Sequence, residues 1–332
     1  MIYCVLLNPT IDNIIEIPNF GAGSTYKVEN VRYFPVGKAI SVALTLRELG
    51  AEPFVVAFIG HNEVPIYNEF LTSNGIGSKI IYINGNTRRN TTIIDRTQGT
   101  STHIRYPGFI VDKNRIIEMI EFLESKLKKD DVVILSGSIP DGVNIEDLNQ
   151  IIRKIDSRGA RFTVDTSGSP LKHLTEWRPW FIKANATEMG QILGRPLSES
   201  YELSKKPDKN VLKNMAADCR SLLSSGTEAV MLTLGDYGAL YLDQEDCYYG
   251  HVSLAKADYT VGCGDAFLGG YVYSMESNIG SLDAFKLAIA CGAANTQKLG
   301  AGILDKDGVH GLYGKVRINR IVLNGDKWGK LG

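Results

Sequence analysis

Short apolar runs recur along the chain, separated by stretches with a helical period, and this alternation limits the fold more than any other feature. Met1 to Leu7, Phe54 to Ile59, Val132 to Leu135, Arg161 to Val164, Phe181 to Lys183 and Val230 to Leu234 each read as a buried strand. Between them, Lys38 to Leu49 and Arg115 to Leu127 carry the pattern of amphipathic helices. In the second, Ile116, Ile117, Ile120, Leu123 and Leu127 are expected on one face. Apolar strands alternating with helices predict an α/β chain with a mainly parallel sheet covered on both sides.

Two segments break the rhythm. Asp12 to Phe34 alternates apolar and polar residues around the turn signal Gly21-Ala22-Gly23, and Asn84 to Tyr106 does the same around Gln98-Gly99. Four strands without helices to cover them predict a small separate sheet at the mouth of the main one, placed as a lid. A pair of ordinary surface hairpins carries the same pattern. The expected division is a core from residues 1–8, 36–83 and 108–311, a lid from 9–35 and 84–107, and a C-terminal stretch, 312–332, without assignment.

Composition sets the outer limits. The 332 residues carry a net charge of −1, with 44% hydrophobic and 22% charged residues, which speaks against a nucleic-acid or membrane-surface partner. Cys4, Cys219, Cys247, Cys263 and Cys291 form no C-x-x-C pair. Their scatter argues against a disulfide framework or a zinc site and predicts a cytoplasmic protein. The N-terminal MIYCVLLNPT lacks the basic region of a signal peptide, and no apolar run approaches the roughly 18 residues of a spanning helix.

The chemistry concentrates at strand ends. In YTVGCGDAFLGGYVYS, Asp258 to Val261 reads as a strand end, Gly262-Cys263-Gly264 as a tight turn, and Ala266 to Val272 as a helix. A helix N-terminus without bulky side chains is an anion site. Asp265 inside that turn either caps the helix or takes a proton while the glycine-turn amides stabilise a transferring phosphoryl group. Lys38 and Ser41, after Gly37, lie near a helix start where a lysine can hold a phosphate, although the spacing is not that of a Walker loop. On a strand, Arg88 and Asn90 share one face and Arg89 takes the other. Asn185 and Glu188 have capping-box spacing after a strand ending in Lys183, and Glu188 could also order water around a metal-bound phosphate. The turns LSGSIP, VDTSG and LTLGDYGALYL follow apolar strands and point to a crevice along that edge. His61, His103, His173, His251 and His310 are isolated and read as surface or packed residues.

Taken in order, LNPTID, GKAISVA, TRRN, SGSIP, VDTSG, KANATE, TLGDYGA and TVGCGDAF resemble the motifs of the phosphofructokinase-B type, ribokinase-like carbohydrate kinases. The likeness runs from about Ile2 to about Leu304 and is nearest the 1-phosphofructokinase and tagatose-6-phosphate kinase branch. It implies a three-layer α/β/α sandwich with a small β lid, and ATP and Mg²⁺ as cofactors. It implies that Asp265 is the base and that Gly262, Cys263 and Gly264 form the anion hole. Asp12 would hold sugar hydroxyls, with Gly37, Ser41 and Ser136 also at the acceptor, while Lys38, Arg88 and Asn90 would grip the phosphate already on the sugar. Lys183, Asn185 and Glu188 would lie near the nucleotide phosphates and magnesium, the last through water. Thr233, Gly235 and Gly238 would line the nucleotide, with Asn295 beside the adenine.

The chain departs from the family's G-G-K-G-x-N at Val36, Ala39 and Ser41, has Cys263 for alanine in the glycine turn and Ala184 for proline. The acceptor half is thus more altered than the nucleotide half. The resulting expectation is an ATP-dependent kinase of a ketohexose phosphate, with a homodimer through the lid possible on exposed strand edges. The alternatives are a ribokinase-like kinase of an unphosphorylated sugar or nucleoside, and a non-catalytic sugar-phosphate sensor.

Overall fold

A computed structural model describes residues 1–197, 201, 205–254, 257 and 259–323. Each run expected as a buried strand is one. The strands β1 (Ile2–Leu6), β4 (Pro53–Gly60), β5 (Gly77–Ile83), β8 (Val132–Ser136) and β9 (Arg161–Asp165) form a parallel sheet in the order β5-β4-β1-β8-β9. A second sheet, β10 (Phe181–Asn185), β11 (Ala229–Thr233), β12 (Ala239–Asp243), β13 (Cys247–His251) and β14 (Arg317–Arg320), is parallel only between β10 and β11 and antiparallel beyond. The two sheets abut. Trp180 N–H donates to the Phe162 carbonyl at 2.7 Å, and Thr163 Oγ1 donates to the Phe181 carbonyl at 3.0 Å.

Alternate residues of β1 show why the strands read as continuous apolar runs. Ile2, Cys4 and Leu6 join one apolar layer; Tyr3, Val5 and Leu7 join the other. The first layer includes the helices Lys38–Leu49, Cys263–Glu276 and Ser281–Asn295. The second includes Lys113–Lys126, Ile145–Ser157 and Lys209–Arg220. The result is the expected three-layer α/β/α architecture.

Two details differ from the sequence expectation. Ile117 is 49% exposed, and Met119 takes the buried place on the Lys113–Lys126 helix. The inward stripe runs 116, 119, 123 at helical spacing, and Ile117 stands one residue, about 100° of turn, off it. The stretch before the glycine turn is not a strand end. Tyr259 and Thr260 have no regular structure, because Tyr259 N–H bonds to the Thr296 carbonyl rather than to a strand neighbour, and Asp258 lies outside the described residues. The C-terminal stretch contributes the end of the helix Lys306–Tyr313 and the edge strand β14.

A third sheet has the order β3-β2-β6-β7, from β2 (Thr10–Glu16), β3 (Val31–Val36), β6 (Arg88–Asp95) and β7 (Thr100–Ile104). β2 and β6 pair in parallel, so segments far apart in sequence lie in register: Thr10 opposite Arg88 and Asp12 opposite Asn90.

Candidate active site

The carboxyl ends of the parallel strands open into one cleft of about 1070 Å³, walled on the other side by the third sheet. Drug-sized sites usually enclose roughly 300–1,000 Å³, so this one has room for two small molecules end to end.

At its centre is the first turn of the Cys263–Glu276 helix. Gly262 caps it with φ 86°, and a Cβ there would lie 2.4 Å from Ala301 Cα, so the turn admits glycine alone. The first amides of the helix have no intrahelical acceptor and face the cleft beside Asp265. Asp265 is buried, at 7% exposure. Nearby, Lys183 Nζ is 3.1 Å from Asp165 Oδ1, Lys38 Nζ is 3.5 Å from the same oxygen, and Lys38 Nζ is 3.8 Å from Glu188 Oε1. Lys183 also stands over the glycine turn, since a Cβ on Gly264 would meet its Nζ at 3.3 Å. Three carboxylates thus share two ammonium groups.

Asp265 is the surplus carboxylate. Among the described residues it forms no ion pair within 4 Å, whereas Asp165 contacts both lysines. Burial, and then the Asp165 charge, push the Asp265 carboxyl up to about 7. Burial would also raise Asp165, but Lys183 and then Lys38 outweigh it and hold that carboxyl below its ordinary value. For Lys38, burial is outweighed in turn by Asp165, Asp265 and Glu188, which hold its pKa above the usual range. An acid raised at the cleft wall and a second acid lowered behind it, joined through the same two lysines, are the electrostatic mark of acid–base work.

The third sheet supplies the other end. Arg88 donates from Nε to the Pro9 carbonyl at 3.1 Å and from Nη2 to the Asn8 carbonyl at 3.2 Å and Ser138 Oγ at 3.3 Å. Asn90 Nδ2 donates to Asp12 Oδ1 at 3.3 Å, Thr10 Oγ1 donates to the same oxygen at 2.9 Å, and all three residues line the cleft. Arg89 takes the opposite face of β6, 3.7 Å from Glu63. Asn8 gives its amide to Ser138 Oγ at 3.0 Å, and its buried Oδ1 has no partner among the described residues.

At the nucleotide end expected from sequence, Thr233, Gly235 and Gly238 line the cleft with Tyr249 and His251. Asn185 Oδ1 accepts from Glu188 N–H and Glu188 Oε2 accepts from Asn185 N–H, both at 2.9 Å. This reciprocal cap contributes about 1 kcal/mol to that helix.

Four placements differ from the sequence expectation. Lys38 lies among the carboxylates of the centre rather than with Arg88, because the first turn of its helix faces Asp165. Ser136 is buried behind the cleft and donates to Asp165 Oδ2 at 3.3 Å; the lining hydroxyl is Ser138. Asn295 is fully buried and does not line the cleft. Its Nδ2 donates to the Val261 carbonyl at 2.9 Å and its Oδ1 accepts from Gly302 N–H at 2.8 Å, so it braces the glycine turn. His251, read as an isolated histidine, lines the cleft. Sequence reasoning missed Asp165. It lies in the VDTSG turn that the sequence offered, as the acid closing the strand RFTVD, but was not singled out there. Ser41, by contrast, is where it was expected, lining the cleft with its Oγ turned back to the Gly37 carbonyl at 3.3 Å.

A buried carboxylate beside free helix amides and two ammonium groups, at the strand ends of an α/β/α sandwich, is an arrangement suited to phosphoryl transfer onto a small molecule. The comparisons carry that class to a family. The family described as pfkB family carbohydrate kinase matches residues 3–307, and the chain belongs to it. Enzymes of this family use ATP. The 1-phosphofructokinase of Bacillus subtilis strain 168 is 26% identical over 323 residues, covering 97% of this chain and all of the relative. That of Borreliella burgdorferi is 28% identical over 303 residues, 90% of this chain and 92% of its own. Phosphofructokinase-2 from Escherichia coli, solved in complex with substrates and products, has the same fold, with a TM-score of 0.85 at 23% identity over 94% of this chain and 98% of that one.

Proposed function

We propose that the chain transfers the γ-phosphoryl group of ATP to a hydroxyl of a ketohexose phosphate (fructose 1-phosphate, fructose 6-phosphate or tagatose 6-phosphate), giving a bisphosphate. The observation that carries this reading is the convergence of Asp265 and the amides after Gly262 in a cleft whose far end holds Arg88. An uncharged acceptor has no use for that cation. The names of the two relatives support the same substrate class.

In this reading the sheet formed by residues 9–35 and 84–107 is a lid that keeps water from the transferring group. The acceptor hydroxyl lies against Asp265, which takes its proton as the oxygen–phosphorus bond forms. The β–γ bond breaks with its electrons leaving on ADP. Lys183, Lys38 and the amides of Cys263, Gly264 and Asp265 meet the charge on the phosphoryl oxygens, and Asp165 holds the two lysines in place. A carboxyl near 7 is well matched to accept a proton at neutral pH. Magnesium, when bound with the nucleotide, supplies further neutralisation of the phosphate charge. A hard cation held mostly by phosphate and water needs only one or two protein carboxylates. Glu188 fits that need: it lines the cleft, spends Oε2 on its cap and holds Oε1 3.8 Å from Lys38 Nζ, too far for a hydrogen bond.

A coupled ADP-release assay over the three ketohexose phosphates and their parent sugars tests the reading. At least one phosphate is expected to exceed its parent sugar in kcat/KM by about 100-fold or more, the worth of a charge-assisted anion site. A chain that prefers every parent sugar would refute it.

The reading extends to two copies joined through the lid, supported by the exposed apolar side chains Val31, Tyr33 and Ile104 on its outer strands. Sedimentation velocity is expected to show a dimer at micromolar concentration; a single monomer boundary at that concentration would rule this out.

A further inference from the structure

Arg105 follows β7 directly and lines the cleft, yet nothing in its sequence context singles it out. Its backbone is fixed from both sides. Ile104 pairs with Thr91, and Tyr106 N–H donates to Asn90 Oδ1 at 3.2 Å. Its side chain is exposed, and among the described residues it forms no hydrogen bond and no ion pair. Arg88 shares the same end of the cleft, and its three hydrogen bonds all end on neutral oxygens. Burial, joined by the Arg105 charge and opposed by Asp12, holds the Arg88 pKa below its ordinary value, so the two guanidinium groups feel one another. Lys38, the other cation available by sequence, is committed to Asp165 and Glu188. Asp12 already accepts from Thr10 and Asn90. Two guanidinium groups left facing one space without a carboxylate bonded to either suit a planar-fork grip on a dianion.

We propose that Arg105 is a specificity-determining residue that closes a two-arginine clamp with Arg88 on the phosphate ester already carried by the acceptor. The proposal rests on the acceptor being a sugar phosphate. It adds to Arg88 a second cation from the edge of the third sheet opposite β3, the strand that leads into Lys38.

The test uses the full chain with ATP and the ketohexose phosphate that it turns over fastest, compared with the parent sugar. R105Q is expected to raise KM for the phosphorylated acceptor about 10- to 100-fold. It should leave kcat, the KM for ATP and the slow turnover of the parent sugar essentially unchanged. R105K should recover part of the loss, because it restores the charge without the fork. Acceptor KM should also climb less steeply with salt in R105Q than in the wild type. If R105Q keeps the wild-type acceptor KM, the clamp is refuted and the sugar-phosphate reading survives. An equal rise in the KM for ATP would also refute it, by placing Arg105 on the nucleotide. A wild type that prefers the parent sugar removes both the clamp and the reading beneath it.

Discussion

Asp265→Asn is expected to lower kcat by about 10²–10⁴-fold, the usual worth of a positioned base, while binding of both substrates persists. The wild-type kcat/KM should fall below about pH 7, where the carboxyl is protonated, and the residual activity of the variant should lack that limb. The same substitution is expected to make the protein more stable at pH 8. An unfolded aspartate has a pKa of about 3.9, so between that value and about 7 the folded chain holds a proton that the unfolded chain has released. The contribution of Asp265 is therefore neutral toward stability at low pH and becomes increasingly unfavourable as pH rises to about 7. Asparagine removes that cost, on the order of 4 kcal/mol at pH 8 and little near pH 4. Urea midpoints at the two pH values measure it. A variant that turns over like the wild type would end the assignment of the base, and one equally destabilised at both pH values would end the account of the surplus charge.

Asp165→Ala has the opposite effect on stability. Lys183 is 6% exposed and loses its 3.1 Å partner, and Lys38 loses its nearer carboxylate. Removing one member of a buried pair costs about 3–5 kcal/mol. The milder Asp165→Asn separates position from charge. After burial, the Asp165 charge is the largest influence raising Asp265. Without it, the acid limb of kcat/KM should move to lower pH even where kcat falls. A limb that stays in place would show that the Asp165 charge does not raise Asp265, whatever the stability change.

These two aspartates also mark how far the sequence could be read. Asp265 was legible because glycines on either side of Cys263, an acid and an apolar helix are contiguous, and a helix N-terminus is a local object. The same locality exposed the Asn185–Glu188 cap and the helix from Lys38, whose bounds are as expected. Strands such as β1 were legible because both faces are buried and nothing polar interrupts them. The roles of Asp165 and Lys38 were not, because their partners stand 18 and 127 residues away along the chain, and burial, which sets the sign of each shift, exists only in the fold. Asn295 failed differently: an amide at the end of a helix is indistinguishable by sequence from one facing a ligand, and only packing showed it turned toward Val261 and Gly302. Ser136 closes β8 whereas Ser138 lies beyond it, past Gly137 at φ 126°, so strand alternation does not relate the two and the turn decides which hydroxyl meets the cleft.

Strand β3 ends at Val36 and the helix bearing Lys38 begins two residues later, with only Gly37 between them. Gly37 has φ 149°, and a Cβ there would lie 2.8 Å from Leu6 Cδ2, so the joint is pinned against β1 and cannot thicken. Of the joints between the third sheet and the rest of the chain this is the shortest, so a displacement of β3 would carry the neighbouring ammonium with it. The wall over one half of the cleft and the cation of the other are thereby tethered by one residue of backbone.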